Sequence, residues 1–262
     1  MDKKAQLFIL FHALPEYGIW DDDLWTPLQV GTQENGRLIE NGRADNEGEN
    51  ISEWNRLFCE NTGTYWIWKH LDYTKEFTGQ VQYRRRFDIR SYSDLLSKMD
   101  NHKVITEKHL NFMITLRAQY EYCHSKADID LCEEVVKTLY PDYSADWDRY
   151  INGDGILYYS NGFIMRTEHY ARYCEWLFPI LFEMKRRMNF STPADHEKWI
   201  EKEMKEGKRP MDNGKHGTYG AVRYQGVIFG FLSERLFTLY LRHNYKNSEI
   251  FEIPYLKMEN GI

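Results

Sequence analysis

Tyr83-Arg84-Arg85-Arg86-Phe87 sets three consecutive arginines at the end of a short apolar run, Gly79 to Tyr83. Arginine is always charged, and its planar fork of donors matches phosphate oxygens bidentately. A diphosphate leaving group needs such neutralisation as its bond breaks. The competing reading is a set of surface ion pairs. Side chains alternate along a strand, so Arg84 and Arg86 are expected on one side and Arg85 on the other. Asn161-Gly162 interrupts a second apolar run, Ile156 to Met165. Glycine there permits close approach of a ligand or another backbone, and asparagine offers both a donor and an acceptor to hydroxyl groups; a simple bulge would also account for it. Glu234 lies beside Arg235 in Gly230 to Leu236, expected at or near a helix start. It suits a general base, or an ion pair with Arg235. His12, just after the first apolar run, could hydrogen-bond a base or sugar or serve as a structural histidine.

Carboxylates with metal-type spacing occur as Asp21 with Asp23, Asp128 with Asp130, and Asp146 with Asp148. None follows a convincing central strand, whereas the arginines do. The arginines are therefore expected to stand in for a divalent ion, and Mg²⁺ or Mn²⁺ is left open. Asp45, Asn46, Glu47 and Glu49 read as an acidic, solvated turn, and Tyr65, Trp66 and Trp68 as core.

These groups need a scaffold. Ala5 to Phe11 predicts a buried strand, Gly79 to Tyr83 a second and Lys103 to Thr106 a third. Asn50 with Glu53 has capping-box spacing and opens a helix predicted from Glu53 to His70, weakened at Gly63. Asp128 to Tyr140 and Tyr170 to Met188 carry helical apolar stripes, the second with Pro179 inside. Phe229 to Leu241 predicts a last helix. Ser191 to Tyr219 is polar, long for a connection, and reads as a lid or acceptor-side insertion. Strands alternating with helices predict an α/β fold with a mostly parallel sheet, whose ligands bind at the strands' carboxyl ends. One domain is expected over 1–245, followed by an irregular tail, 246–262.

The 262 residues carry a formal net charge of −6, which argues against a nucleic-acid-binding face. Cys59, Cys123, Cys132 and Cys174 show no metal-type pairing and are too few for a disulfide scaffold, so reduced thiols in the cytoplasm are expected. The first apolar run is short and lacks a cleavage site, and no segment approaches the length of a membrane span.

Taken in order, these motifs resemble a bacterial family of capsular and exopolysaccharide biosynthesis glycosyltransferases, long described only as a domain of unknown function. Its landmarks run nearly end to end: Pro27 to Gly31, Asn50-Ile51-Ser52 with Asn55, Glu60 and Thr62 before Tyr65 to Lys69, Tyr83-Arg84-Arg85 with Phe87, Tyr120 with His124, Asn161 with Phe163 to Met165, Tyr173 to Phe178, and Gly230 to Leu236. Many members of that family have His before Tyr-Arg-Arg; Gln82 stands there in this chain.

The resemblance implies a GT-A-like fold and transfer of a hexose, galactose or galactofuranose among the candidates, from a uridine diphosphate sugar. The acceptor would be lipid-linked or a growing polysaccharide, at the inner face of the cell membrane. Tyr83, Arg84, Arg85, Asn161 and His12 would bind the donor, and Glu234 would act as base. The alternative is a non-catalytic carbohydrate-binding or assembly protein with the same fold.

Overall fold

The computed structural model describes residues 4–15, 18–19, 22–40, 42–209 and 217–257. Its centre is a seven-stranded sheet built from β1 (Gln6–Phe11), β2 (Trp25–Gln29), β3 (Arg43–Ala44), β4 (Phe77–Gln82), β6 (Val104–Glu107), β9 (Phe163–Arg166) and β10 (Ile250–Ile253), in the order β10-β6-β9-β4-β1-β2-β3. β5 (Arg85–Phe87) pairs with β11 (Tyr255–Lys257), and β7 (Leu110–Asn111) with β8 (Ile156–Leu157). All neighbours in the large sheet are parallel except β9, which runs antiparallel to both β4 and β6.

β1 is apolar at every position but the first because both faces of the sheet are covered. Leu7, Ile9 and Phe11 enter one core, with Trp25, Phe77, Phe87, Leu95 and Met99. Phe8 and Leu10 enter the other and larger core. That face is covered by long helices. In chain order the helices are α1 (Thr32–Asn35), α2 (Asn55–Phe58), α3 (Asn61–Lys69), α4 (Tyr92–Met99), α5 (Leu116–Cys123), α6 (Lys126–Leu139), α7 (Ser144–Asp146), α8 (Thr167–Arg187), α9 (Pro193–Lys205), α10 (Gly217–Gly226) and α11 (Ile228–Asn244). α6, α8 and α11 pack Ile129, Cys132, Val136, Tyr170, Leu177, Leu181, Leu232 and Leu236 into it. Tyr65 and Trp66 are buried there as expected of core, and Trp68 stacks on Phe178.

The mostly parallel α/β architecture expected from the sequence is the one observed, with four differences in detail. The helix expected from Glu53 to His70 is broken. A short 3-10 turn (Ser52–Trp54) and α2 end at Cys59, whose φ of 53° is left-handed, and α3 starts anew at Asn61. Asn50 accepts from Ser52 N in a local turn and caps nothing at Glu53. Over its described residues, 246–257, the tail is not irregular. β10 adds an edge strand beside β6, because Ile250 and Ile253 are apolar and bury against the cores. The acidic turn is not simply solvated either. Asp45 is fully buried and accepts from Gly31 N, Thr32 N and Ser52 Oγ, which fixes the turn after β2.

The segment 191–219 is in part the helix α9, which buries His196 and Ile200. Just beyond it Arg209 forms a bidentate pair with Asp128 at 2.7 Å on both oxygens, each side chain 1% exposed. Residues 210–216 lie outside the described residues, so the lid expectation is untested there.

Candidate functional site

In a parallel sheet the carboxyl ends of the strands share one edge. β1, β2, β4 and β6 end there in Phe11, Gln29, Gln82 and Glu107. β9 runs the other way, so its amino end reaches the same edge: Phe163 is in register with Gln80 of β4 and with Thr106 of β6. The turn Ser160-Asn161-Gly162 is thereby set beside the ends of β4 and β6. Ser160 (φ 68°) and Asn161 (φ 51°) are both left-handed, an arrangement that costs about 1–3 kcal/mol per residue and collects at functional sites.

A cleft of about 260 Å³ opens at this edge. His12 from the end of β1, Val30 from the end of β2, Tyr83 and Arg84 from the end of β4, Asn55, Cys59 and Glu60 from the α2–α3 break, and Arg223 of α10 are among its walls. Arg84 donates from Nε to Tyr83 Oη at 2.9 Å and leans on that ring. Neither Arg84 nor Arg223 forms an ion pair with a carboxylate among the described residues, although the chain is acidic. Both exert a field on His12, whose pKa is lowered first by burial, then by Arg223, then by Arg84, so the imidazole is neutral near pH 7.

The three arginines therefore part company. Arg84 lines the cleft. Arg85 turns inward, its Nε 3.5 Å from Glu107 Oε1, its Nη1 donating to Gln82 Oε1 at 2.9 Å and its guanidinium over the Tyr159 ring. Arg86 pairs with Asp22 at 2.9 Å. The expected alternation places Arg85 apart from Arg84, but Arg86 is drawn into an ion pair and not into the cleft. Arg85 and Asn161 do not line the cleft; they stand behind its wall.

Three carboxylates, those of Glu60 and Glu107 buried and that of Glu234 partly so, converge on the Ser160–Gly162 turn. Glu107 is 1% exposed, and burial pushes its pKa up to about 7 against the pull of Arg85 and of the Ser160 and Tyr159 hydroxyls. Glu234 accepts from Ser160 N at 2.8 Å through Oε1 and from Arg235 Nη1 at 3.0 Å through Oε2. Burial raises its pKa, with Arg235 opposing. It stands in the second turn of α11 and not at the helix start, so the helix-start argument for a lowered pKa does not apply. It is also absent from the cleft walls. Glu60 does line the cleft; its Oε1 accepts from Asn161 Nδ2 at 2.6 Å.

Glu60 and Arg223 are the residues for which sequence reasoning gave no role. Glu60-Asn61-Thr62 is a polar triplet inside Leu57-Phe58-Cys59 and Tyr65-Trp66-Ile67, and buried polar groups in an apolar run signal a site or a turn. Arg223 has no comparable signal, because α10 is brought to the cleft only by the tertiary fold.

Two of the Asp-x-Asp patterns are committed elsewhere. Asp128 holds Arg209 and Asp130 holds Arg117 and Lys126; Asp146 accepts from His243 and Asp148 holds Lys137. Asp21 lies outside the described residues. Among the described residues no group of three His, Cys, Asp or Glu side chains is arranged to hold a metal ion. No helix among the described residues is long and apolar enough to cross a membrane.

Residues 6–202 match the model of the family described as Domain of unknown function (DUF4422). No curated protein matches. Among solved structures the fold superposes on the apo structure of WbbM, a bifunctional glycosyltransferase, with a TM-score of 0.74 at 21% identity. The likeness covers 98% of this chain and 45% of that one, so this chain spans less than half of its length. At that identity the likeness is one of fold.

Proposed function

The chain belongs to the DUF4422 family, and from that premise we propose that it is a glycosyltransferase, moving a hexosyl group from a uridine diphosphate sugar onto a lipid-linked or growing surface-polysaccharide acceptor. The observation that carries the reading is the pair of arginines, Arg84 and Arg223, lining one cleft at the carboxyl edge of the sheet without carboxylate partners among the described residues. Two uncompensated guanidinium groups are suited to a diphosphate, and more so as it departs with added charge. The fold shared with a glycosyltransferase agrees with this.

In this reading Tyr83 orients Arg84, and neutral His12 with Leu10, Val30 and Asn55 receives the nucleoside. Asn161, behind the wall, acts indirectly by donating from Nδ2 to Glu60, which does line the cleft. Arg85 acts indirectly, by holding Gln82 in the wall and Glu107 behind it. Galactose and galactofuranose are the donor sugars suggested by the sequence resemblance, and the acceptor places the reaction at the cytoplasmic face of the membrane.

A thermal-shift titration tests the reading. A ligand at 100 times its dissociation constant adds about 2.7 kcal/mol of stability, a rise in melting temperature of roughly 5–10 °C for a chain of this size. Uridine diphosphate is expected to produce it; uridine and free galactose are not. No shift with uridine diphosphate or its sugars at millimolar concentration would contradict the assignment.

A further inference from the structure

We infer that Glu60 is the general base of the transfer, positioned by Asn161 and Ser233; the inference rests on the transferase reading above. Three carboxylates meet at this edge, and their partners separate them. Glu107 faces the guanidinium of Arg85, and Glu234 is occupied on both oxygens by Ser160 N and Arg235. A base must reach the acceptor hydroxyl and keep a lone pair for its proton. Only Glu60 of the three lines the cleft that Arg84 and Arg223 also line. No cation pairs with it among the described residues; it accepts hydrogen bonds only from neutral donors, the Asn161 amide at Oε1 and the Cys59 thiol.

The surroundings fix that carboxylate. Asn161 Nδ2 also donates to Ser233 Oγ at 2.8 Å, and Asn61 Nδ2 donates to the same oxygen at 2.9 Å. Ser233 Oγ in turn donates to Gly230 O at 2.8 Å, one turn back on α11. On the other side, Asn55 Nδ2 donates to Cys59 O at 2.8 Å and to Thr62 Oγ1 at 3.0 Å, holding the left-handed Cys59 that ends α2. Two strained segments, at Cys59 and at Ser160-Asn161, are thus joined through one carboxylate–amide contact at the cleft wall. The strain has a purpose if it aims Glu60.

In the step itself the acceptor oxygen bonds to the anomeric carbon as its proton passes to the Glu60 carboxylate. The anomeric C–O bond to the diphosphate breaks, and its electron pair leaves on the nucleoside diphosphate, where Arg84 and Arg223 receive the charge. A single in-line displacement of this kind inverts the anomeric centre.

The test uses the whole chain, with water as acceptor and UDP-glucose and UDP-galactose as donors. In Glu60→Gln the amide oxygen still accepts from Asn161, so folding and calorimetric affinity for UDP are expected within about two-fold of the parent, while hydrolysis falls by roughly 100-fold or more. Proton NMR of the first-formed sugar should show inversion. A Glu60→Gln protein that hydrolyses at the parent's rate, a loss confined to KM or UDP affinity, or retention of configuration would each overturn the role of Glu60. Failure of the parent itself to bind UDP would instead overturn the transferase reading beneath it.

Discussion

Arg84 and Arg85 are neighbours in sequence and face different tasks. Arg84 lines the cleft without a carboxylate partner among the described residues, so replacing it by Gln removes binding energy directly. The expected loss is roughly 1.5–3 kcal/mol, or about 10- to 150-fold in UDP affinity, with the melting temperature of the free protein nearly unchanged. Calorimetry with UDP alongside a thermal melt checks both halves. Glu107 supplies a second prediction. Its folded pKa is raised from its ordinary 4.5 to about 7 by burial. Its contribution to stability is thus fully present below about pH 4.5 and is lost as pH rises through 7. Glu107→Gln stays neutral throughout, so its stability relative to the parent should climb between pH 5 and pH 8 by on the order of 3 kcal/mol. Urea unfolding at several pH values measures it, and a flat difference would remove Glu107 from the titration. The arginine run was legible because its charge stands out at a strand end in an acidic chain. Glu60 was visible as a landmark of the resemblance and as part of a polar triplet between apolar runs, but nothing local reveals which of several carboxylates will reach a cleft.

Among the elements, β1, β4, β6, α6, α8 and α11 follow apolar patterns that survive in the fold, because each packs a face or stripe of consistent period. β2 was missed because Pro27 interrupts its pattern; it is tolerated as proline lacks only the N–H. The break between α2 and α3 was missed because Cys59 adopts a conformation more usual for glycine, held by side-chain bonds from Asn55 that periodicity does not report. That break has a close neighbour. A Cβ on Gly230 of α11 would stand 2.8 Å from Cys59 Cβ, an atom that cannot swing away. Gly230→Ala should therefore push α11 from the break and cost about 1–3 kcal/mol. Because Ser233 lies on the next turn, UDP-sugar hydrolysis should fall more than UDP affinity. A variant as stable as the parent would show that the two elements do not meet as described.

At the scale of the molecule, the direction of β9 sets the Ser160–Gly162 turn beside the cleft, and this, like the docking of β10 at the sheet edge, arises from long-range pairing that a local pattern does not encode. The same holds for the pin between Arg209 and Asp128, which ties the chain beyond α9 to the start of α6. Arg209→Leu leaves the Asp128 carboxylate buried and uncompensated, with an expected loss of roughly 3–5 kcal/mol. Adding Asp128→Asn should recover much of it, and equal denaturation midpoints for the parent and the single variant would contradict the pin. The central claim is that this fold, with Arg84 and Arg223 lining one cleft, turns over a nucleotide sugar. The most direct measurement is release of UDP from UDP-galactose and UDP-glucose by the purified chain, in the presence of EDTA, against matched Arg84→Gln and Glu60→Gln proteins. The account predicts slow release by the parent that survives the chelator and is sharply reduced in both variants. A parent that binds the nucleotide sugar and leaves it intact would contradict it and favour a carbohydrate-binding protein built on a transferase fold.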